Sequence, residues 1–110
     1  MAYDRDLADR VRALLSSAPD VTERRMFGGL AFLVGGHLAV SVAGQGDLLL
    51  RVARSQRDRL LQDARARPFE MQGRMMAGWL QVLAADDLSE DELGRWVGLG
   101  VTEARAQPPR

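Results

Sequence analysis

Every basic side chain of this chain is an arginine, and two of them, Arg24 and Arg25, run directly into Met26-Phe27-Gly28-Gly29. A guanidinium presents a planar fork of donors that fits a carboxylate or a phosphate two bonds at a time. In a strand, however, neighbouring side chains point to opposite faces, so the pair cannot easily serve one pocket. The glycine pair inside an apolar β pattern reads as a bulge or a close backbone approach. Met75, Met76 and Trp79 form a second group suited to contact, because thioethers and an indole supply adaptable buried area; with Met71 and Phe69 their simplest reading is core filling. A third group, Arg51, Arg54, Arg57 and Arg59, is the best local candidate for binding nucleic acid, although Asp47, Asp58 and Asp63 interrupt it.

Reaction chemistry finds little support. With no lysine there is no Schiff base, and with no cysteine there is neither thiolate, disulfide nor sulfur-bound metal. His37 is the lone histidine and has no orienting partner at useful spacing. Asp86-Asp87 and Glu90-Asp91-Glu92 gather at a helix start, where the helix dipole favours carboxylates without any metal. Gly28-Gly29 is not followed by the Gly-Lys-Ser/Thr of a phosphate loop. The chain therefore reads as non-enzymatic, with no catalytic residue, no metal ligand and no cofactor. Its charges cancel, which leaves no global field for nucleic acid or an anionic membrane. The charged start Met-Ala-Tyr-Asp-Arg-Asp is unlike a leader, and the glycine-rich stretch Met26–Gly46 is unlike a membrane span. The expected location is the cytoplasm.

The elements that must position these residues follow from periodicity. Asp4 caps a helix with Leu7, Val11, Leu14 and Leu15 on one face, ended by Pro19. A β pattern runs from Val21 to Phe27. Leu30–Val34, Gly35-Gly36 and His37–Val42 form a hairpin with a two-residue turn, which sets Val34 opposite His37, Leu33 opposite Leu38, Phe32 opposite Ala39, Ala31 opposite Val40 and Leu30 opposite Ser41. Both faces of that hairpin are apolar, so a helix layer or a partner chain must cover the second one. Leu48–Val52 is a further strand. Ser55 with Asp58 suggests a capping box for a short helix, Arg67-Pro68 breaks the pattern, and Phe69–Gln72 with Met75–Leu83 make a second strand pair. Ser89 and Glu92 box the last helix, with Leu88 and Leu93 as its staple. The order α-β-β-β-α-β-β-α describes one α+β domain over 1–106 with a mainly antiparallel sheet, followed by a tail at 107–110 expected to fray.

Three segments then carry a resemblance. Ala2-Tyr3-Asp4 with its helix, Arg25-Met26-Phe27-Gly28-Gly29-Leu30-Ala31-Phe32, and Gly73-Arg74-Met75-Met76-Ala77-Gly78-Trp79 resemble the N-terminal domain of the TfoX/Sxy competence-regulator family, from about Ala2 to Ala106. The resemblance implies a five-stranded antiparallel sheet with three helices, similar to secretion-chaperone folds. It also implies transcriptional co-activation of natural competence with the cyclic-AMP receptor protein, by proteins that carry a second, C-terminal domain; this chain is expected to be a stand-alone member. It brings no catalytic residues. The expected function is a regulatory or adaptor module that binds another protein, or a second copy of itself, through Arg24, Arg25, Met26, Phe27, Gly28 and Gly29 with Met75, Met76 and Trp79 as neighbours. The alternatives are direct nucleic-acid binding through the Arg51, Arg54, Arg57 and Arg59 patch, and a small-ligand site or enzyme pocket around Trp79.

Overall fold

The computed structural model describes residues 4–26, 28–43, 46–71, 73–83 and 85–108, apart from the side chains of Met71 and Ala77. Along the chain stand α1 (Arg5–Leu14), β1 (Val21–Met26), β2 (Gly29–Val34), β3 (His37–Val42), β4 (Leu48–Arg51), α2 (Arg54–Leu60), β5 (Ala66–Met71), β6 (Arg74–Val82), a single 3₁₀ turn at Ala85–Asp87 and α3 (Glu90–Arg105). The strands form one antiparallel sheet in the order β1-β2-β3-β4-β6-β5. The α+β class and the three helices hold.

The described residues hold six strands where the resemblance implied five. The difference begins at the glycine pair: Met26 pairs with Gly29, so Gly28, at φ 72°, lies in a two-residue turn joining β1 to β2. A glycine can serve a bulge or a hairpin turn equally well, and here it makes the turn. The Gly35-Gly36 hairpin is as expected; both glycines have positive φ, 59° and 85°, the combination a primed turn requires.

The pairing of β2 with β3 departs from the expected register after two rungs. Val34 faces His37 and Leu33 faces Leu38, but Phe32 then faces Val40, Ala31 faces Ser41 and Leu30 faces Val42. Ala39 is the extra residue of a β-bulge. A one-residue shift exchanges the faces of a strand, so the bulge sends Val40 and Val42 to the side of Phe32 and Leu30 and turns the Ser41 hydroxyl to the opposite side. Without it, Ser41 would point at the helices.

All three helices lie on one side of the sheet. Leu7, Ala8, Val11 and Leu15 of the α1 segment and Leu93, Trp96 and Val97 of α3 join Leu30, Phe32, Val40, Val42, Leu48, Leu50, Leu80 and Val82 in one buried core, against which Leu60 and Leu61 of the α2 segment pack. These sheet residues share one alternation phase. Local chemistry fixes the helix ends: Leu7 N donates to Asp4 Oδ1 at 3.0 Å, and Glu92 N donates to Ser89 Oγ at 3.2 Å, with Leu88 and Leu93 both buried as a staple. The expected Ser55 box is absent. α2 starts two residues earlier, at Arg54 behind Ala53, without a side-chain cap. Arg67-Pro68 does not end the fifth strand either, because β5 is an edge strand, where a missing N–H costs no ladder bond. The chain end is tied down as far as Pro108: Gln107 Nε2 donates to Glu103 Oε2 at 3.0 Å, and His37 Nε2 lies 2.6 Å from Pro108 O.

Candidate functional site

The sheet face away from the helices is the candidate site. The pairings place its side chains in rows across the strands: Thr22, Leu33 and Leu38; then Arg24, Ala31, Ser41, Leu49, Gln81 and Arg67; then Arg51 and Trp79. Ala31 and Ser41 are buried, being small side chains among longer ones, whereas Leu38, Leu49 and Trp79 keep part of their surface exposed. Among the described residues no helix lies over these rows. The Arg51 guanidinium sits 5.3 Å from the Trp79 ring centroid, a cation–π stack that holds both groups in place. At the end of the face Asp47 is buried and accepts a 2.9 Å bond from Gln81 Nε2.

The expected contact group is split by this geometry. Arg24 and Arg25 diverge as alternation dictates. Arg24 faces Ala31 on the open side, and Arg25 faces Leu30 on the helix side. Met26 and Gly29 close β1 onto β2, Gly28 lies in the turn, and Phe27 lies outside the described residues. Trp79 is on the same open face as Arg24, but β1 and β6 are four strand spacings apart, about 19 Å. Arg24 and Trp79 share a face and are not neighbours. Met75 is 60% exposed, so it does not fill the core; it stands opposite Glu70 near the β5–β6 turn, beyond the end of β4, and Met76 beside it is half-buried. Between Pro68–Leu80 and Glu70–Met75 four residues of β6 oppose Phe69 alone, a wide irregularity that the sequence does not announce.

The Arg51, Arg54, Arg57 and Arg59 group does not form one patch. Arg51 is on the open face, while the other three ride on α2 at the helix side, and Arg57 and Arg59 project about 160° apart around that helix. A cleft of about 440 Å³ opens between α2 and α3, and Trp96, not Trp79, forms its wall together with Arg59, Leu60, Asp63, Arg95 and Leu99. Arg95 stacks on Trp96 at 5.6 Å and reaches Asp63 at 4.0 Å, which crosses the cleft with a cation and its counter-ion.

Elsewhere several charged groups pair. Arg12 binds Glu23 through two bonds of 2.6 and 2.9 Å and Asp9 at 2.6 Å, joining α1 to β1. Hydrogen bonding from Arg12 holds the Glu23 carboxyl below its usual range against a smaller opposing effect of burial, and the Arg12 guanidinium is pushed up in return. Asp20 is likewise lowered by its bond to Arg105. Among the described residues no three His, Asp or Glu side chains gather as metal ligands, and no helix is long and apolar enough to cross a membrane. His37 spends Nε2 on the Pro108 carbonyl. What the open face can do chemically is bind: aliphatic area, one stacked indole and guanidinium groups at its borders.

Neither a curated protein nor a solved structure matches the chain. A family model does: the TfoX N-terminal domain matches residues 13–104, most of the chain, and spans every strand and α3 up to Ala104. The chain belongs to the TfoX N-terminal domain family.

Proposed function

We propose that this domain is a non-enzymatic regulatory module of the cytoplasm that acts by binding another protein through the open face of its sheet. The observation that carries the reading is the one-sided helix layer. Three helices bury one face, and the opposite face keeps Leu38, Leu49 and Trp79 partly exposed around a buried Ala31 and Ser41. Apolar area gathered on one face and bordered by charge is the usual mark of a contact surface. Membership of the TfoX N-terminal domain family supports the regulatory half of the reading, with transcriptional control of competence as its context. Arg24, Met26 and Trp79 are the expected site residues that fall on this face. Direct nucleic-acid binding is less well supported, since Arg51 and the α2 arginines lie on opposite sides of the sheet.

The test is affinity capture of the tagged chain from nuclease-treated native lysate, beside a Leu38→Glu/Leu49→Glu variant and an Arg59→Glu control on the helix side. The expected result is a stoichiometric protein held by the wild type and the control and lost from the double variant. An empty capture, or one indifferent to the double variant, overturns the reading.

A further inference from the structure

We infer that the segment bound by the open face is acidic as well as apolar, a carboxylate-bearing amphipathic stretch of another protein; the inference rests on the protein-binding reading above. The whole chain carries no net charge, and its ion pairs gather on one side of the sheet. The ion pairs Arg10–Glu90, Arg12–Asp9, Arg12–Glu23, Arg65–Asp87, Arg95–Asp63 and Arg105–Asp20 belong to the helices, their connecting turns and the helix side of β1. None of them uses Arg24, Arg51 or Arg67, the three arginines that the pairings set on the open face.

Each of the three keeps its charge available. Arg24 is exposed and, among the described residues, makes no hydrogen bond or ion pair. Arg51 lies over Trp79, and among the described residues Arg67 donates only to the Ala64 and Ala66 carbonyls, neutral partners that leave the cation uncompensated. The carboxylate on this face, Asp47, is buried and occupied by Gln81, and Glu70 stands out near the β5–β6 turn. The face is thus an aliphatic centre of Ala31, Leu33, Leu38 and Leu49 between uncompensated guanidinium groups.

That pattern selects among occupants. A second copy would bring Arg24, Arg51 and Arg67 against their own kind, a like-charge juxtaposition that opposes association. Single-stranded nucleic acid needs aromatic platforms for successive bases, and this face offers one indole, already covered by Arg51. An amphipathic protein segment meets both demands, with apolar side chains on the aliphatic centre and carboxylates on the arginines. The spacing is also specified. Arg24 and Arg51 are three strands and one two-residue step apart, about 16 Å, which on a partner helix separates the carboxylates by about eleven residues. Arg24 and Arg67, five strands apart, stand at about 24 Å.

The test is selection from a displayed library of random peptides, long enough for four or five helical turns, on the immobilised chain, with prior subtraction on Leu38→Glu/Leu49→Glu. The expected peptides are enriched in Asp and Glu among Leu, Ile and Phe. Their affinity should fall by about tenfold or more on an Arg24→Ser/Arg51→Ser chain, and again as salt rises to about 0.5 M. Circular dichroism of the double serine variant should be unchanged, because among the described residues Arg24 makes no hydrogen bond or ion pair and Arg51 only a stacking contact. Recovery of neutral or basic peptides, recovery of none, or indifference to the arginine variant overturns the acidic inference; a capture that still depends on Leu38 and Leu49 would then leave the protein-binding reading intact. Single-stranded DNA that displaces the peptides from the wild type makes nucleic acid the occupant. Concentration-dependent self-association in sedimentation, abolished by Leu49→Glu, makes a second copy the occupant; either result also overturns the inference.

Discussion

Two glycines of α3, two residues apart, should respond to the same substitution with opposite signs. A Cβ at Gly100 would lie 2.5 Å from the Ala39 carbonyl oxygen and 2.8 Å from Val40 Cγ1, both on β3 beneath the helix. Backbone cannot move aside as a side chain can, so Gly100→Ala must lift α3 from the sheet by roughly 1 Å to restore ordinary contact, an overpacking cost of about 1–3 kcal/mol. Replacing glycine in a helix interior returns up to about 1 kcal/mol. The net expectation is a loss of about 1–2 kcal/mol, or a Tm lower by about 4–8 °C in a domain of this size. At Gly98 a Cβ meets nothing within 4 Å, so Gly98→Ala should keep the propensity gain and raise Tm by up to about 4 °C. Thermal and urea unfolding followed by circular dichroism measure both. A Gly100→Ala chain as stable as the wild type, or two variants shifting in the same direction, refutes the close seating of α3 on β3 and with it the one-sided helix layer.

Other expectations follow from the same packing. Phe32→Ala, at a fully buried position beneath the helices, should cost about 3–5 kcal/mol in urea unfolding. Ser89→Ala removes the acceptor for Glu92 N and should cost about 1 kcal/mol, with Ser89→Gly milder. Glu23 titrates below its ordinary 4.5 in the folded chain, so its ionised form stabilises the fold above that value and the contribution disappears as pH falls through the folded-state pKa. Unfolding of Glu23→Gln should therefore depend less on pH than the wild type below about pH 4.5, and no differently in slope near neutrality; the effect is small, since the pair is partly exposed.

What was legible in the sequence is what local chemistry decides. Asp4 and Ser89 announce helix starts because a side-chain oxygen beside a free backbone N–H is a local event. Gly35-Gly36 announces its turn because both positions need positive φ. The failures are positions where distant structure decides. Gly28-Gly29 suits a bulge or a turn, and pairing of β1 with β2 settles it. The bulge at Ala39 is set by the demand that Val40 and Val42, and not Ser41, face the helices. Pro68 ends a strand unless that strand is an edge, which depends on sheet order. For the same reason the divergence of Arg24 and Arg25 could be read from alternation, while their distance from Trp79, and the shared face of Arg24, Arg51 and Arg67, could not.

The most direct test of the open face is site-specific photo-crosslinking in native cells. A photoreactive side chain at Leu49, in the middle of that face, is compared with one at Gly98, exposed on α3. The expected result is a discrete adduct with another protein from position 49 and none from position 98. Adducts from position 98 alone, or from neither position, would contradict it.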